Sequence, residues 1–189
     1  MPRAWLKDEL SRLFDAAGAE QGTICGIPAG LWWRARVAFH WYTGERKTAV
    51  DLLRMEWVQL DPRMSVAVIP CDVRKGRKKN GIYHLPPPLV ESLQAIWKPA
   101  RELVFPQESP TMYWRYWNRI LKRAELPTGR KSKTHSLRVS HATWMDHQGG
   151  DATKSLMHSD SAVTKKHYLD PRMSAPLKDL FDPTFRPAG

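Results

Sequence analysis

The apolar residues of this chain keep a helical spacing almost throughout and switch to an alternating, β-branched pattern only once. Trp5, Leu6, Leu10, Leu13, Phe14 and Ala17 recur at three- and four-residue intervals, which predicts an amphipathic helix over 2–17 that ends at Gly18. A second apolar helix is expected from about Leu31 to Tyr42, broken at Gly44. A third begins near Lys47, carries Val50, Leu53 and Trp57, and stops at Asp61-Pro62. The single change of period follows. Val66, Val68 and Ile69 make 65–70 a strand, and 72–85 reads as a basic hairpin in which Asn80-Gly81 supplies the positive φ angles of a tight turn. Pro86, Pro87 and Pro88 then launch a helix over 89–97. Further helices are expected over 111–126, over 135–147 with Thr134 as the cap and Gly149-Gly150 as the end, in a short turn reaching Met157, and around 164–169. The fold class is therefore mainly α with a small antiparallel β-sheet, that is, α+β.

At 189 residues the chain has the length of one ordinary domain, and it contains no repeat and no Gly/Ser-rich linker. Thirty Lys and Arg against 19 Asp and Glu give a net charge of +11, which favours a polyanionic partner: nucleic acid first, an anionic membrane second. The basic residues cluster at 74–79 and 130–133, which points to phosphate binding. Cys25 and Cys71 are the only cysteines and lack metal-ligand spacing, so they are expected to be reduced, small core residues; no metal and no cofactor is expected. No apolar run approaches the roughly 20 residues of a membrane span and no secretory layout opens the chain, so a cytoplasmic location is expected. Of the nine Trp, Trp32, Trp33, Trp41, Trp57, Trp114 and Trp117 fall in helical patterns, where burial is their expected role.

Three separated stretches carry groups suited to phosphodiester chemistry: Thr43-Gly44-Glu45-Arg46, Thr134-His135-Ser136-Leu137-Arg138, and His158 with Tyr168 ten residues on. Guanidiniums can hold the non-bridging oxygens, imidazoles can move protons, and a phenol can attack phosphorus. His135 and Arg138, three apart, share a helix face and can reach one phosphate. Taken singly each has a plainer reading. Arg46 could pair with Glu45 or Asp51, His135 could serve as a cap, and His158 could be structural. Tyr168 lies in Thr164-Lys165-Lys166-His167-Tyr168, where flanking cations favour an approaching anion and lower the phenol pKa.

Together with Ser140-His141-Ala142-Thr143 and Leu156-Met157-His158-Ser159-Asp160, these stretches resemble the Arg, HxxR, LGHSS and Tyr boxes of the tyrosine recombinases, the phage-type integrase family. The resemblance spans about residues 4 to 170. It implies that Arg46 and Arg138 bind the scissile phosphate, His135 assists proton transfer, His158 hydrogen-bonds the phosphate, and Tyr168 attacks it to leave a 3′-phosphotyrosyl link. The family also uses a hairpin lysine to protonate the departing 5′ oxygen. Lys75 suits that position best, and Lys79 is the alternative. Lys47, Arg77, Lys78, Arg130, Lys131 and Lys133 are the expected DNA contacts. Four features depart from the family pattern: Ala49 stands where an acidic residue is common, Met157 stands for the Gly of the LGH box, the 150–158 stretch is short, and His158 to Tyr168 is ten residues where about nine is common.

The function so implied is site-specific DNA recombination or integration on double-stranded DNA, with a homo-tetramer on DNA and a monomer when free. Relaxation of the type IB topoisomerase kind, or a catalytically silent DNA-binding module, is the alternative. A single catalytic domain is expected over 1–189, with a core over about 4–170, a C-terminal tail over 171–189, and without the N-terminal core-binding domain that family members usually carry.

Overall fold

A computed structural model describes residues 3–76, 79–107, 109–129, 134–156 and 161–173. In chain order the elements are α1 (Lys7–Gly18), β1 (Thr23–Ile24), β2 (Ile27–Pro28), α2 (Ala29–Thr43), α3 (Lys47–Asp51), β3 (Val58–Gln59), β4 (Val66–Ile69), β5 (Gly81–His84), α4 (Pro87–Gln94), α5 (Pro110–Arg123), α6 (His135–His147), α7 (Ala152–Ser155) and α8 (Ser161–Tyr168). The architecture is mainly helical, as the apolar spacing predicts, with antiparallel sheets β1-β2 and β3-β4-β5. The β1-β2 ribbon was not anticipated, because two-residue strands carry no period to detect.

Helix α2 is the hub because it is apolar on nearly every side. Trp32, Trp33, Ala35, Val37, Ala38 and Phe39 are all buried, and the helix packs on α1, α4 and α6. Full burial of each large side chain contributes about 1.5–3 kcal/mol. Trp33 stacks within 5.9 Å of Trp117 and 4.9 Å of Tyr113, joining α2 to α5. α1 approaches α2 closely because Gly30 lacks a side chain: a Cβ there would lie 2.2 Å from the Gly18 carbonyl oxygen. The tryptophans are accordingly core residues, with Trp41, Trp57 and Trp114 partly buried against the same cluster.

Several expectations need correction. Leu6 does not join the apolar face. It is exposed and occupies the N-cap of α1, where the Glu9 carboxylate accepts its N–H at 2.9 Å. The helix from Lys47 does not reach Trp57. It ends at Asp51 because Leu53 and Met55 turn their backbones to residues 102–104, with Val104 N–H donating to Leu53 O and Met55 N–H to Glu102 O, both at 2.9 Å. Asn80-Gly81 is not the positive-φ turn: Gly76 takes that conformation, and Gly81 opens β5. At Gly81 a Cβ would lie 2.8 Å from the Tyr83 ring and 3.0 Å from the Arg74 guanidinium, so glycine leaves room for both. Thr134 precedes α6 but makes no side-chain cap bond. Cys25 is exposed and Cys71 half-buried, so neither belongs to the core.

A smaller apolar cluster of Ala4, Val139, Ala142, Ala152, Leu156 and Tyr168 binds α6, α7 and α8 to the N-terminal segment. Polar bonds reinforce it. Thr143 Oγ1 donates to the Tyr168 carbonyl and accepts from Asp170 N–H, both at 3.0 Å, while Asp170 accepts from Ala4 N–H at 2.8 Å. The end of α8 is thereby strapped to α6 and to the chain's first described residues.

Candidate active site

Arg46 reaches the site because α2 must end before it. Gly44 adopts φ 61°, its N–H closing the helix on His40 O at 2.9 Å, and Thr43 Oγ1 accepts from Glu45 N–H at 3.2 Å. No other residue fits at Gly44, since a Cβ would lie 2.6 Å from the His141 ring and 2.9 Å from Leu156. Gly44→Ala combines that overlap with left-handed strain and is expected to cost about 2–4 kcal/mol, measured by denaturant unfolding. A loss below about 1 kcal/mol would show that the turn is not sterically set.

The plainer reading of Arg46 as a surface ion pair is not what the structure contains. Asp51 is occupied by Arg36, by Lys47 at 2.6 Å and by Gln107 at 2.6 Å. From Arg46 the Glu45 carboxylate takes the backbone N–H, at 3.0 Å, while its ion pair is with Arg74. The Arg46 guanidinium instead donates to Lys75 O at 3.2 Å and lies close enough to the Tyr168 phenol to lower its pKa. Arg138, buried on α6, donates to Gly44 O and to Leu156 O and sits with its Cζ 5.2 Å from the Tyr168 ring centre. His135, one turn earlier on α6, packs its ring 5.4 Å from that of Tyr168.

Four sequence-predicted groups, Arg46, His135, Arg138 and Tyr168, therefore converge on one point, with the Lys75 backbone at its edge. The exposed Lys75 and Lys79 lie at either side of the loop between β4 and β5. Lys47 is engaged elsewhere, paired with Asp51 and lying 4.2 Å from the Tyr113 ring centre. His158, Arg77, Lys78, Arg130, Lys131 and Lys133 fall outside the described residues, as do the apolar tail residues Leu177, Leu180 and Phe181.

The electrostatics follow from this packing. Burial raises the Tyr168 pKa, but the positive charges of Arg138 and Arg46 beside the phenol outweigh it, so the phenol is more acidic than an ordinary tyrosine. Desolvation, then the charges of Arg138 and Arg46, hold His135 below the usual imidazole value and leave it a neutral proton acceptor near pH 7. Two cations, a sensitised phenol and a neutral imidazole on one spot can bind an anion and deliver an oxygen nucleophile to it. Among the described residues no cluster of His, Cys, Asp and Glu could hold a metal ion.

Sequence reading missed the supports of this site. His141 is buried, its Nδ1–H donating to Trp41 O at 2.6 Å and its Nε2 accepting from Ser155 Oγ at 2.7 Å, which ties α2 to α6 and α7. Burial, against a raising effect of the Trp41 bond, leaves its pKa at about 4. Between pH 6.5 and 4 the unfolded chain then binds a proton that the folded one refuses, so this stability is complete above about pH 6.5 and is lost as pH falls toward 4. The loss is on the order of 3 kcal/mol. Unfolding curves at pH 7 and pH 4.5 should differ less for His141→Gln than for the unmodified protein. Equal differences would mean His141 does not carry the effect. Buried His40, at about 3, adds in the same direction.

The chain matches the family model described as phage integrase family over residues 5–174. No curated protein matches it. Among solved structures it is similar to XerA recombinase, with 21% identity, 92% of this chain and 62% of that chain covered, and a TM-score of 0.70. It is similar to the catalytic domain of bacteriophage HP1 integrase, with 18% identity, all of both chains covered and a TM-score of 0.65. It is also similar to XerH site-specific recombinase bound to a palindromic difH substrate in a post-cleavage complex, with 16% identity, 87% and 48% coverage and a TM-score of 0.67. The chain thus spans about three fifths of the XerA length and about half of the XerH length. Among the described residues no helix is long and apolar enough to cross a membrane.

Proposed function

The chain belongs to the phage integrase family, the tyrosine recombinases, and on that premise we propose that it cuts and rejoins double-stranded DNA through a covalent bond to Tyr168. The observation that carries this reading is the convergence of Arg46 and Arg138 on the Tyr168 phenol. In the resting site the phenol lies beside the two guanidiniums. A scissile phosphate would bind there, its non-bridging oxygens accepting from both guanidiniums.

The steps balance without an external reagent. Tyr168 Oη attacks phosphorus as its proton passes to neutral His135, the P–O5′ bond breaks, and the departing oxygen takes a proton from Lys75, with Lys79 the alternative donor. The DNA 3′ end is left esterified to the tyrosine, so a later 5′-hydroxyl can reverse the step and rejoin a strand. Arg46 and Arg138 offset the charge that builds on the equatorial oxygens, each contributing about 3–4 kcal/mol at the transition state. His158 is the further phosphate donor in this scheme, and a homo-tetramer on DNA is the assembly in which two duplexes would exchange strands.

The test is a pool of nicked duplexes, randomised over the binding site, incubated in chelator and then washed in denaturant to retain only covalent complexes. A DNA-linked protein band is expected, and strand exchange between two labelled recovered duplexes separates recombination from simple relaxation. Tight, salt-sensitive DNA binding with no covalent product would make the chain a silent binding module instead.

A further inference from the structure

Arg74 belongs to the basic cluster at 74–79 that reads as phosphate-binding, yet its side chain is only 2% exposed, and its partner Glu45 is 4% exposed. The polar contacts of this pair join the backbone of Arg46 to the loop that carries Lys75 and Lys79. Glu45 Oε1 accepts from Arg74 Nε at 2.9 Å and from Tyr83 Oη at 3.0 Å, while Oε2 accepts the Arg46 backbone N–H at 3.0 Å. Arg74 in turn donates to Lys79 O at 3.0 Å and to Tyr83 Oη at 3.1 Å, and its own N–H closes a turn on Cys71 O at 3.1 Å. The guanidinium thus fills the inside of the loop between β4 and β5. On the loop's near side the Arg46 guanidinium holds Lys75 O at 3.2 Å.

We propose that Glu45, through its buried pair with Arg74, is a positioning residue that fixes the lysine-bearing loop relative to Arg46. The inference rests on the cleavage reading above and deepens it: phosphate clamp and leaving-group acid are built on one rigid unit. A hairpin loop carrying Arg74, Lys75 and Lys79 against the single acid Asp72 would spread by mutual repulsion and swing its lysines through solvent. Here one carboxylate takes up the repulsion at the loop's root and ties it, over a single side chain, to the backbone of Arg46. Burying two charges is costly unless each is paired and hydrogen-bonded, and this pair satisfies both conditions through Tyr83, Lys79 O and Arg46 N–H. The carboxylate stays ionised at neutral pH because, against desolvation, the charges of Arg74 and Arg138 and the Arg46 amide bond lower its pKa.

A positioning role for the acid differs from a structural one in what it does to two substrates. A bridging 5′ sulfur leaves as a thiolate and needs no proton, whereas a 5′ oxygen does. Misplacing the lysine slows only the oxygen ester, while partial unfolding or a disturbed Arg46 slows both. The variant is Glu45→Leu with Arg74→Met, which removes the pair whole and leaves no buried charge unpaired. Adduct formation is measured on one recovered duplex in its oxygen and bridging-sulfur forms. The rate ratio, oxygen over sulfur, is expected to fall by about tenfold or more, the scale for displacing a catalytic group. A smaller fall overturns the proposal. Glu45→Gln, which keeps the acceptor but not the charge, is expected to fall between. If the unmodified protein forms adduct on neither substrate, the cleavage reading itself has failed, a result distinct from an unchanged ratio.

Discussion

Tyr168→Phe is expected to reduce covalent adduct to background, a loss of about 10⁶ and the scale for deleting a covalent nucleophile, while leaving fold and DNA affinity in place. The fold should survive because the ring, not the hydroxyl, packs with Val139, Ala142, Ala152 and Leu156, and phenylalanine preserves that volume. The backbone strap from Thr143 Oγ1 to the Tyr168 carbonyl is also untouched. DNA affinity should survive because removing the hydroxyl leaves both guanidiniums in the site. Unfolding midpoint, duplex affinity across a salt series and adduct yield, measured on one preparation, check the three parts together. Adduct persisting in the variant would place the nucleophile elsewhere.

Arg138→Lys is expected to slow adduct formation by about 10²–10³ even though the charge is kept. The guanidinium donates through two different nitrogens to Gly44 O and Leu156 O, and its Cζ lies 5.2 Å from the Tyr168 ring centre. An ammonium is a single point on a flexible stem and cannot hold the Thr-Gly turn and the end of α7 while still facing the phosphate. Stability should fall as well, by about 1–3 kcal/mol, because a buried carbonyl loses its donor. Single-turnover rates against denaturant midpoints separate the two effects. A variant that cleaves within a few-fold of the unmodified protein would mean the fork geometry at α6 is dispensable.

What was legible in the sequence follows the range over which each signal acts. The bounds of α6 agree with expectation because the apolar pattern of 135–147 and the Gly149 stop are local. Convergence of Arg46, His135, Arg138 and Tyr168 could be anticipated because the order of their boxes resembles a known family, not because spacing alone brings them together. Arg74 could not be read. It sits in a run that looks like solvated basic surface, and only a carboxylate 29 residues earlier draws it inside. The same long reach hid His141, whose partners Trp41 and Ser155 lie on two other helices. Gly81 misled for a related reason, since Asn-Gly is a strong local turn signal, whereas here the glycine makes room for a buried guanidinium.

A covalent bond between DNA and one phenol, set beside two guanidiniums from separate segments, is the expected product of this site. Its most direct measurement is the trapped complex digested with nuclease and protease and sequenced by mass spectrometry. A peptide bearing a 3′-nucleotide through phosphate on Tyr168 is the predicted result. The nucleotide on any other residue, or no modified peptide from protein that binds duplex tightly, would contradict it.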